Sequence, residues 1–150
     1  MTQHLYRKQH VVTSVVAVIV DEEDRVVLTR RAIAPFLDMW VMPGGKIALG
    51  EPIVRALHRE VLEEVGLEVA VVGLVDIFEH LGPDTDHFVI LYYRCRPLTR
   101  TLVPDPIEVA EARWVPRAAL GGLRMAEGSR YILGLIFPEH ATTGIRNLKH

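Results

Sequence analysis

Glu60, Glu63 and Glu64 follow Arg59 in the run Arg59-Glu60-Val61-Leu62-Glu63-Glu64-Val65-Gly66-Leu67. Carboxylates one helical turn apart repel, so a chain selected for stability alone would avoid this arrangement. Arg59 reaches Glu63 a turn away, but one guanidinium cannot neutralise three acids. A hard divalent cation such as Mg²⁺, which takes oxygen ligands, can. Such an ion screens negative charge and lowers the pKa of coordinated water. The competing reading is a solvated acidic face, but solvated charges normally lie opposite the apolar stripe.

The element that must carry these acids is a helix. Pro52 suits a first turn and Gly66 a left-handed stop, which predicts a helix over about 52–65. Its apolar stripe is Ile53, Leu57, Val61 and Val65. At about 100° per residue, Glu60 and Glu64 project within roughly 40° of each other, and Glu64 falls between Ile53 and Leu57. Two like charges therefore stand at the edge of the buried face.

Gly45, five residues, Glu51, seven residues and then Arg59 to Leu67 match every specified position of the signature of the Nudix hydrolases, G-x5-E-x7-R-E-U-x-E-E-x-G-U with U a bulky aliphatic. A chance match in a chain of this length has odds on the order of one in ten million. The chain thus resembles that family closely over Gly45 to Leu67 and more loosely over most of its length. The resemblance implies an α/β fold, a Nudix-type α/β/α sandwich with a mixed twisted sheet. It also implies a loop-helix-loop metal site that cleaves a diphosphate attached to another moiety, usually a nucleoside. The implied ion is Mg²⁺, with Mn²⁺ as its substitute. The implied metal shell is Glu60, Glu63, Glu64 and the main-chain carbonyl of Gly44, where a glycine lets the backbone come close. A glutamate six residues before a strand tryptophan recurs in the family near the metals, and Glu108 stands at that spacing from Trp114. Gly45, Glu51, Arg59 and Gly66 take structural roles, with an Arg59–Glu51 salt bridge fixing the loop and the helix start. Glu60, Glu64 and Glu108 are the catalytic candidates. The general base is either Glu60 or Glu108.

Before the helix, Val11 to Val20 reads as a strand, since the run is β-branched, is too short to span a bilayer and meets Asp21-Glu22-Glu23-Asp24 directly. The acidic cluster is a hairpin turn, and the strand from Arg25 to Thr29 returns to end at Arg30-Arg31. These two arginines suit either a phosphate clamp or a solvated pair. Residues 32–39 form a loop, and a short strand brings Trp40 to Gly44-Gly45. Phe36 and Trp40 are candidates for stacking on a base, with core packing the commoner fate of such residues. After Gly66, strands are expected over 68–78 and 87–96, separated by a turn-rich loop at 79–86. His80 and His87 are candidate substrate contacts, and Pro83 stands about where some family members acting on ADP-ribose carry a proline. A second loop covers 97–107, and the strand containing Trp114 follows Glu108. A C-terminal helix is expected over about 123–137, with Leu123, Tyr131, Leu135 and Ile136 facing the core.

Composition suits one domain over residues 1–150, with loose ends at about 1–10 and 138–150. The chain is 49% hydrophobic and 24% charged, with a net charge of -2, and it lacks the basic footprint that nucleic acid or a membrane surface requires. The expected partner is a small nucleotide substrate, with a homodimer left open. A lone Cys95 allows no internal disulfide and points to a cytoplasmic setting, with the thiol buried in a strand. Two other functions remain open. One is a catalytically silent nucleotide sensor, and the other is a nucleotide-sugar hydrolase cutting the sugar C–O bond.

Overall fold

The central strand β1 (Val12–Ile19) has apolar residues at both parities and is covered on both faces. Val15, Ala17 and Ile19 share one core with Leu57, Val61 and Val65 of helix α1 (Ile53–Val65). Val18 and the following Val20 share a second core with Ile132 and Leu133 of helix α2 (Glu127–Ile136). Alternating residues of one strand therefore bind two helices, one above and one below, which is the α/β/α layering. The computed structural model describes residues 10–83 and 86–141.

Two sheets make up the middle layer. In the first, of order β4-β1-β6-β5, β1 runs parallel to β6 (His87–Pro97) and antiparallel to β4 (Gly44–Lys46), while β5 (Val69–Leu81) forms the edge antiparallel to β6. This is the mixed sheet expected. The second is wholly antiparallel, β2 (Val26–Arg31) lying between β3 (Trp40–Val41) and β7 (Val109–Val115).

Several boundaries differ from those read in the sequence. β5 continues to Leu81 through the expected loop, because Glu79, His80 and Leu81 pair with Val89, Phe88 and His87. Cross-strand pairing there outweighs local turn composition. α2 starts at Glu127 instead of residue 123, because the Trp40 amide donates to the Arg124 carbonyl at 2.8 Å and the Ala126 amide to the Trp40 carbonyl at 3.1 Å, which holds residues 124–126 extended against β3. The buried face of α2 is accordingly Ser129, Ile132 and Leu133, with Tyr131 and Ile136 partly covered and Leu135 exposed. On α1, Ile53 is exposed and Ala56 takes the buried place beside Leu57. Pro138–His140, within the stretch expected to be loose, forms a 3₁₀ turn whose His140 ring pairs with the Arg117 carbonyl at 2.8 Å. Residues 1–9 and 142–150, the remainder of the expected loose ends, lie outside the described residues.

The hairpin between β1 and β2 is clamped by Asp21. Its carboxylate accepts the Glu23 and Arg25 amides at 2.9 and 2.8 Å, Arg25 Nε at 2.8 Å and Arg100 Nη2 at 2.6 Å. Arg100 in turn lies 4.6 Å over the Trp114 ring and ties the loop before β7 to this turn. Cys95 is buried in β6, and burial pushes its thiol up to about 12, which makes it an inert core group.

Candidate active site

β4 passes between β1 and α1, where an added Cβ would meet strand backbone at Gly44 and the Glu60 carboxylate at Gly45. A Cβ on Gly44 would lie 2.6 Å from the Val16 Cα, and one on Gly45 would lie 2.7 Å from Glu60 Oε1. Glycine at both positions lets the backbone pass within reach of the helix carboxylates. The Gly44 amide donates to Glu64 Oε1 at 3.2 Å.

α1 ends at Gly66 with φ 71°, the left-handed stop, and has no basic residue in its last turn. Glu63 and Glu64 there face the negative end of the helix dipole, an arrangement that costs stability. Arg59 supplies the nearest compensation. It grips Glu51 through Nε and Nη2 at 2.6 and 2.9 Å, touches Glu60 at 2.9 Å and both oxygens of Glu63 at 3.2 Å through Nη1, and donates to the Lys46 carbonyl at 3.2 Å. Its guanidinium holds the Glu51 carboxyl down to about 2, and the Ala48 amide reinforces this at 3.0 Å. One fork thus locks the loop after β4 to the helix.

Glu64 lies beyond that reach. It is 7% exposed, and among the described residues the Gly44 amide is its one hydrogen-bond donor. Burial pushes its carboxyl up to about 8, and the charges of Glu60 and Glu108 add to the shift while the Gly44 amide and Arg31 oppose it. Burial also raises Glu60, against Arg59. Glu108 sits in the turn before β7, where its carbonyl accepts the Ala32 amide at 2.9 Å. Its charge acts on both helix acids, although it lies far from them in sequence.

Glu60, Glu63, Glu64 and Glu108 border one cleft of about 360 Å³, together with Gly44, Gly45, Arg31 and Phe36. The opposite wall is apolar. Phe78 of β5 stands opposite Ile90 of β6, and His80 opposite Phe88, so one face of this strand pair lines the cleft. Phe36, in the left-handed region at φ 64°, sets its ring edge-on to His80 with centroids 5.5 Å apart. At the far end Tyr92, 3% exposed, is hydrogen-bonded to Ser129 at the start of α2.

Three candidate substrate contacts lie outside this cleft. Trp40 is a core residue, 5% exposed, with Arg113 over its ring at 4.6 Å. Arg30 turns to Asp38 at 3.1 Å and Glu111 at 3.7 Å. His87 pairs with Glu79 at 2.8 Å, so His80 is the histidine on the cleft. Pro83 is exposed in the β5–β6 turn and also lies off the cleft. The sequence reading missed the aromatic wall. The available signal was the period-2 set Phe88, Ile90 and Tyr92, but Val89, Leu91 and Tyr93 are equally apolar, so parity could not be assigned from the strand alone.

The donor set suits a hard divalent ion: four carboxylates and a glycine main chain, all offering oxygen. Glu64 is the test of fit, since a buried carboxylate with one amide partner calls for a cation. Among the described residues no three His, Cys, Asp or Glu side chains are grouped, as they stand, so as to hold a metal ion. Arg59 holds Glu60 and Glu63 to itself in this arrangement.

The family profile described as "NUDIX domain" matches residues 10–134. The human protein named 8-oxo-dGDP phosphatase NUDT18 is 34% identical over 113 residues, which cover 75% of this chain and 35% of that protein. The ADP-ribose pyrophosphatase of Methanocaldococcus jannaschii is 32% identical over 68 residues, covering 45% of this chain and 39% of its own. The chain thus spans little more than a third of either curated relative. Among solved structures, the MutT NUDIX hydrolase from Burkholderia pseudomallei superposes with a TM-score of 0.79 at 25% identity, covering 85% of this chain and 99% of that one.

Proposed function

The chain belongs to the NUDIX family, and from that premise we propose that it hydrolyses the diphosphate linkage of a nucleoside diphosphate derivative or a nucleoside triphosphate with the help of Mg²⁺ or Mn²⁺. The observation that carries this reading is Glu64, a carboxylate 7% exposed and raised to about 8, which borders, with Glu60 and Glu108, a cleft also lined by Phe36, Phe78 and Phe88. An acid so placed is stable as an anion only with a cation beside it, and the acids around it can share that cation. The residues that would hold the ion are Glu60, Glu63, Glu64, Glu108 and the Gly44 carbonyl. When bound, the ion screens the phosphate oxygens and acidifies a coordinated water.

The rest of the work falls to the chain's own groups. Arg59 orients Glu60 and Glu63 while its Glu51 pair fixes the loop. Arg31 and Lys46 are cations lining the cleft and available to a phosphate oxygen. Phe36, His80 and Phe88 offer flat apolar surface to a heterobase. Glu60 or Glu108 takes the proton from the attacking water; Glu60 is raised by burial, the direction a general base needs. The relatives named for 8-oxo-dGDP and ADP-ribose act on nucleoside diphosphate derivatives, which supports the same class here. A lone Cys95, which allows no internal disulfide, supports a reducing, cytoplasmic setting. Sedimentation reads out the homodimer left open by the sequence, and a monomeric mass removes it.

The test is turnover of 8-oxo-dGDP, 8-oxo-dGTP, ADP-ribose and a nucleotide sugar with Mg²⁺, with every product identified. Cleavage between phosphorus atoms, lost in excess EDTA, is expected. Free sugar among the products would move the protein to C–O hydrolysis, and binding without turnover would make it a sensor.

A further inference from the structure

Glu108 is exposed and lies in a turn, yet its charge must meet Glu64 at a defined place. Pro104 and Pro106 have no amide hydrogen, so Asp105 is the one donor of that tripeptide. Its amide donates to the Glu64 carbonyl at 2.9 Å, and the Val103 amide donates to the Val65 carbonyl at 2.8 Å. These carbonyls have no partner within the helix, so the loop completes the end of α1. The Asp105 side chain turns the other way. Its Oδ2 accepts the Glu108 amide at 2.7 Å and the Ile107 amide at 3.3 Å, while its carbonyl accepts the amide of Val109, the first residue of β7, at 3.2 Å. An aspartate followed by proline is the favoured opening of such a turn, with the carboxylate gathering the amides that follow.

We propose that Asp105 is a positioning residue, tying the backbone of Glu108 to the end of the helix that carries Glu64 and so fixing the spacing of the two carboxylates. The inference rests on the reading of Glu108 as part of the hydrolytic machinery. Without the side-chain tie the turn keeps its place on the helix but loses the two amide bonds that set its shape. Misplacing a reacting group by about 1 Å costs on the order of 10²-fold in rate, and removing the partner that orients a ligand or base costs roughly 10- to 100-fold.

The test uses kcat and KM with Mg²⁺ on whichever member of the substrate panel is turned over fastest, for Asp105→Ala, Asp105→Asn, Glu108→Gln and the double variant Asp105→Ala/Glu108→Gln. Thermal melting of each variant serves as the check on folding. Asp105→Ala should lower kcat by roughly 10- to 100-fold with KM changed by less than about 2-fold. Asparagine keeps the accepting oxygen, so Asp105→Asn should stay within about 3-fold of the native kcat. In the double variant, the loss should match that of Glu108→Gln alone, because Asp105 acts through Glu108. An Asn variant as slow as the Ala variant, or multiplied losses in the double variant, would overturn the inference while leaving the proposed function standing. Full kcat in Glu108→Gln, or no turnover across the panel, would remove the reading beneath it and the inference with it. If Asp105→Ala fails to fold, the Asn variant decides alone, with native kcat supporting the tie and a loss beyond about 10-fold ending it.

Discussion

Asp21 and Glu64 are each 7% exposed, yet their carboxyls move in opposite directions, Asp21 down to about 2 and Glu64 up to about 8. Burial pushes both upward, more strongly for Glu64, which lies deeper beneath the surface, and their partners differ as well. Asp21 accepts two amides and two guanidinium groups, which overcome its desolvation. Glu64 has one amide at 3.2 Å and two further acids nearby. The first is a finished structural clamp, while the second leaves negative potential unspent in a cleft. Equal exposure therefore does not mean equal purpose; depth and the count of donors around each acid separate them.

The sharpest way to break this contrast is Glu64→Gln. It should lower kcat by roughly 10³-fold or more, a loss in the range seen when transition-state charge stabilisation is removed. In EDTA its melting temperature should hold or rise, since the substitution removes an acid that must take up a proton to be buried at neutral pH. Wild-type turnover by this variant, or a lower melting temperature without metal, would mean that Glu64 is another Asp21.

Arg59→Ala is expected to act on both properties at once. The loop after β4 loses its tie to α1, and Glu51, Glu60 and Glu63 lose their shared cation, so kcat/KM should fall by about 10- to 100-fold and melting by a few degrees. A variant with native melting but weakened substrate affinity would assign Arg59 to phosphate binding instead.

Asp21→Ala should show the reverse of Glu64→Gln. Loss of a buried acceptor serving four donors should destabilise the fold by roughly 2 kcal/mol, about 4–8 °C in melting, with kcat unchanged in the folded fraction. A change in kcat would connect the hairpin to the cleft and erase the contrast.

The smallest effect is in the pH dependence of metal-free stability, where the two acids have opposite signs. Glu64 binds its proton more tightly folded than unfolded, so its contribution is favourable at low pH and is lost as pH rises from about 4.5 through 8. Asp21 binds its proton less tightly when folded, so its contribution is present above about 3.8 and is lost as pH falls toward 2. Each slope is bounded by about 1.4 kcal/mol per pH unit, the limit for one proton. Melting scans in EDTA should therefore show a decline from pH 5 to 8 that Glu64→Gln removes. A decline that survives that substitution would locate the titration elsewhere.

The helix acids of the cleft, Glu60, Glu63 and Glu64, were legible in the sequence because they are nearly contiguous. Pro52, Gly66 and the spacing from Arg59 to Glu64 set the helix, its ends and the angle between its acids through local geometry alone. The strand β1, with apolar residues at both parities, was legible for the same reason. Tertiary structure decided the rest. Which parity of β6 faces the cleft depends on the pairing of Phe78 with Ile90 and of His80 with Phe88, between strands joined by a turn. Where α2 begins depends on Trp40 holding residues 124–126 extended, and Trp40 itself was drawn into the core by that contact and not to a substrate. The opposite shifts of Asp21 and Glu64 depend on Arg100 arriving at one and, among the described residues, no cation forming a hydrogen bond to the other. A chain read in order shows the charges it carries, but the energy of a buried charge is set by donors that only the folded chain brings to it.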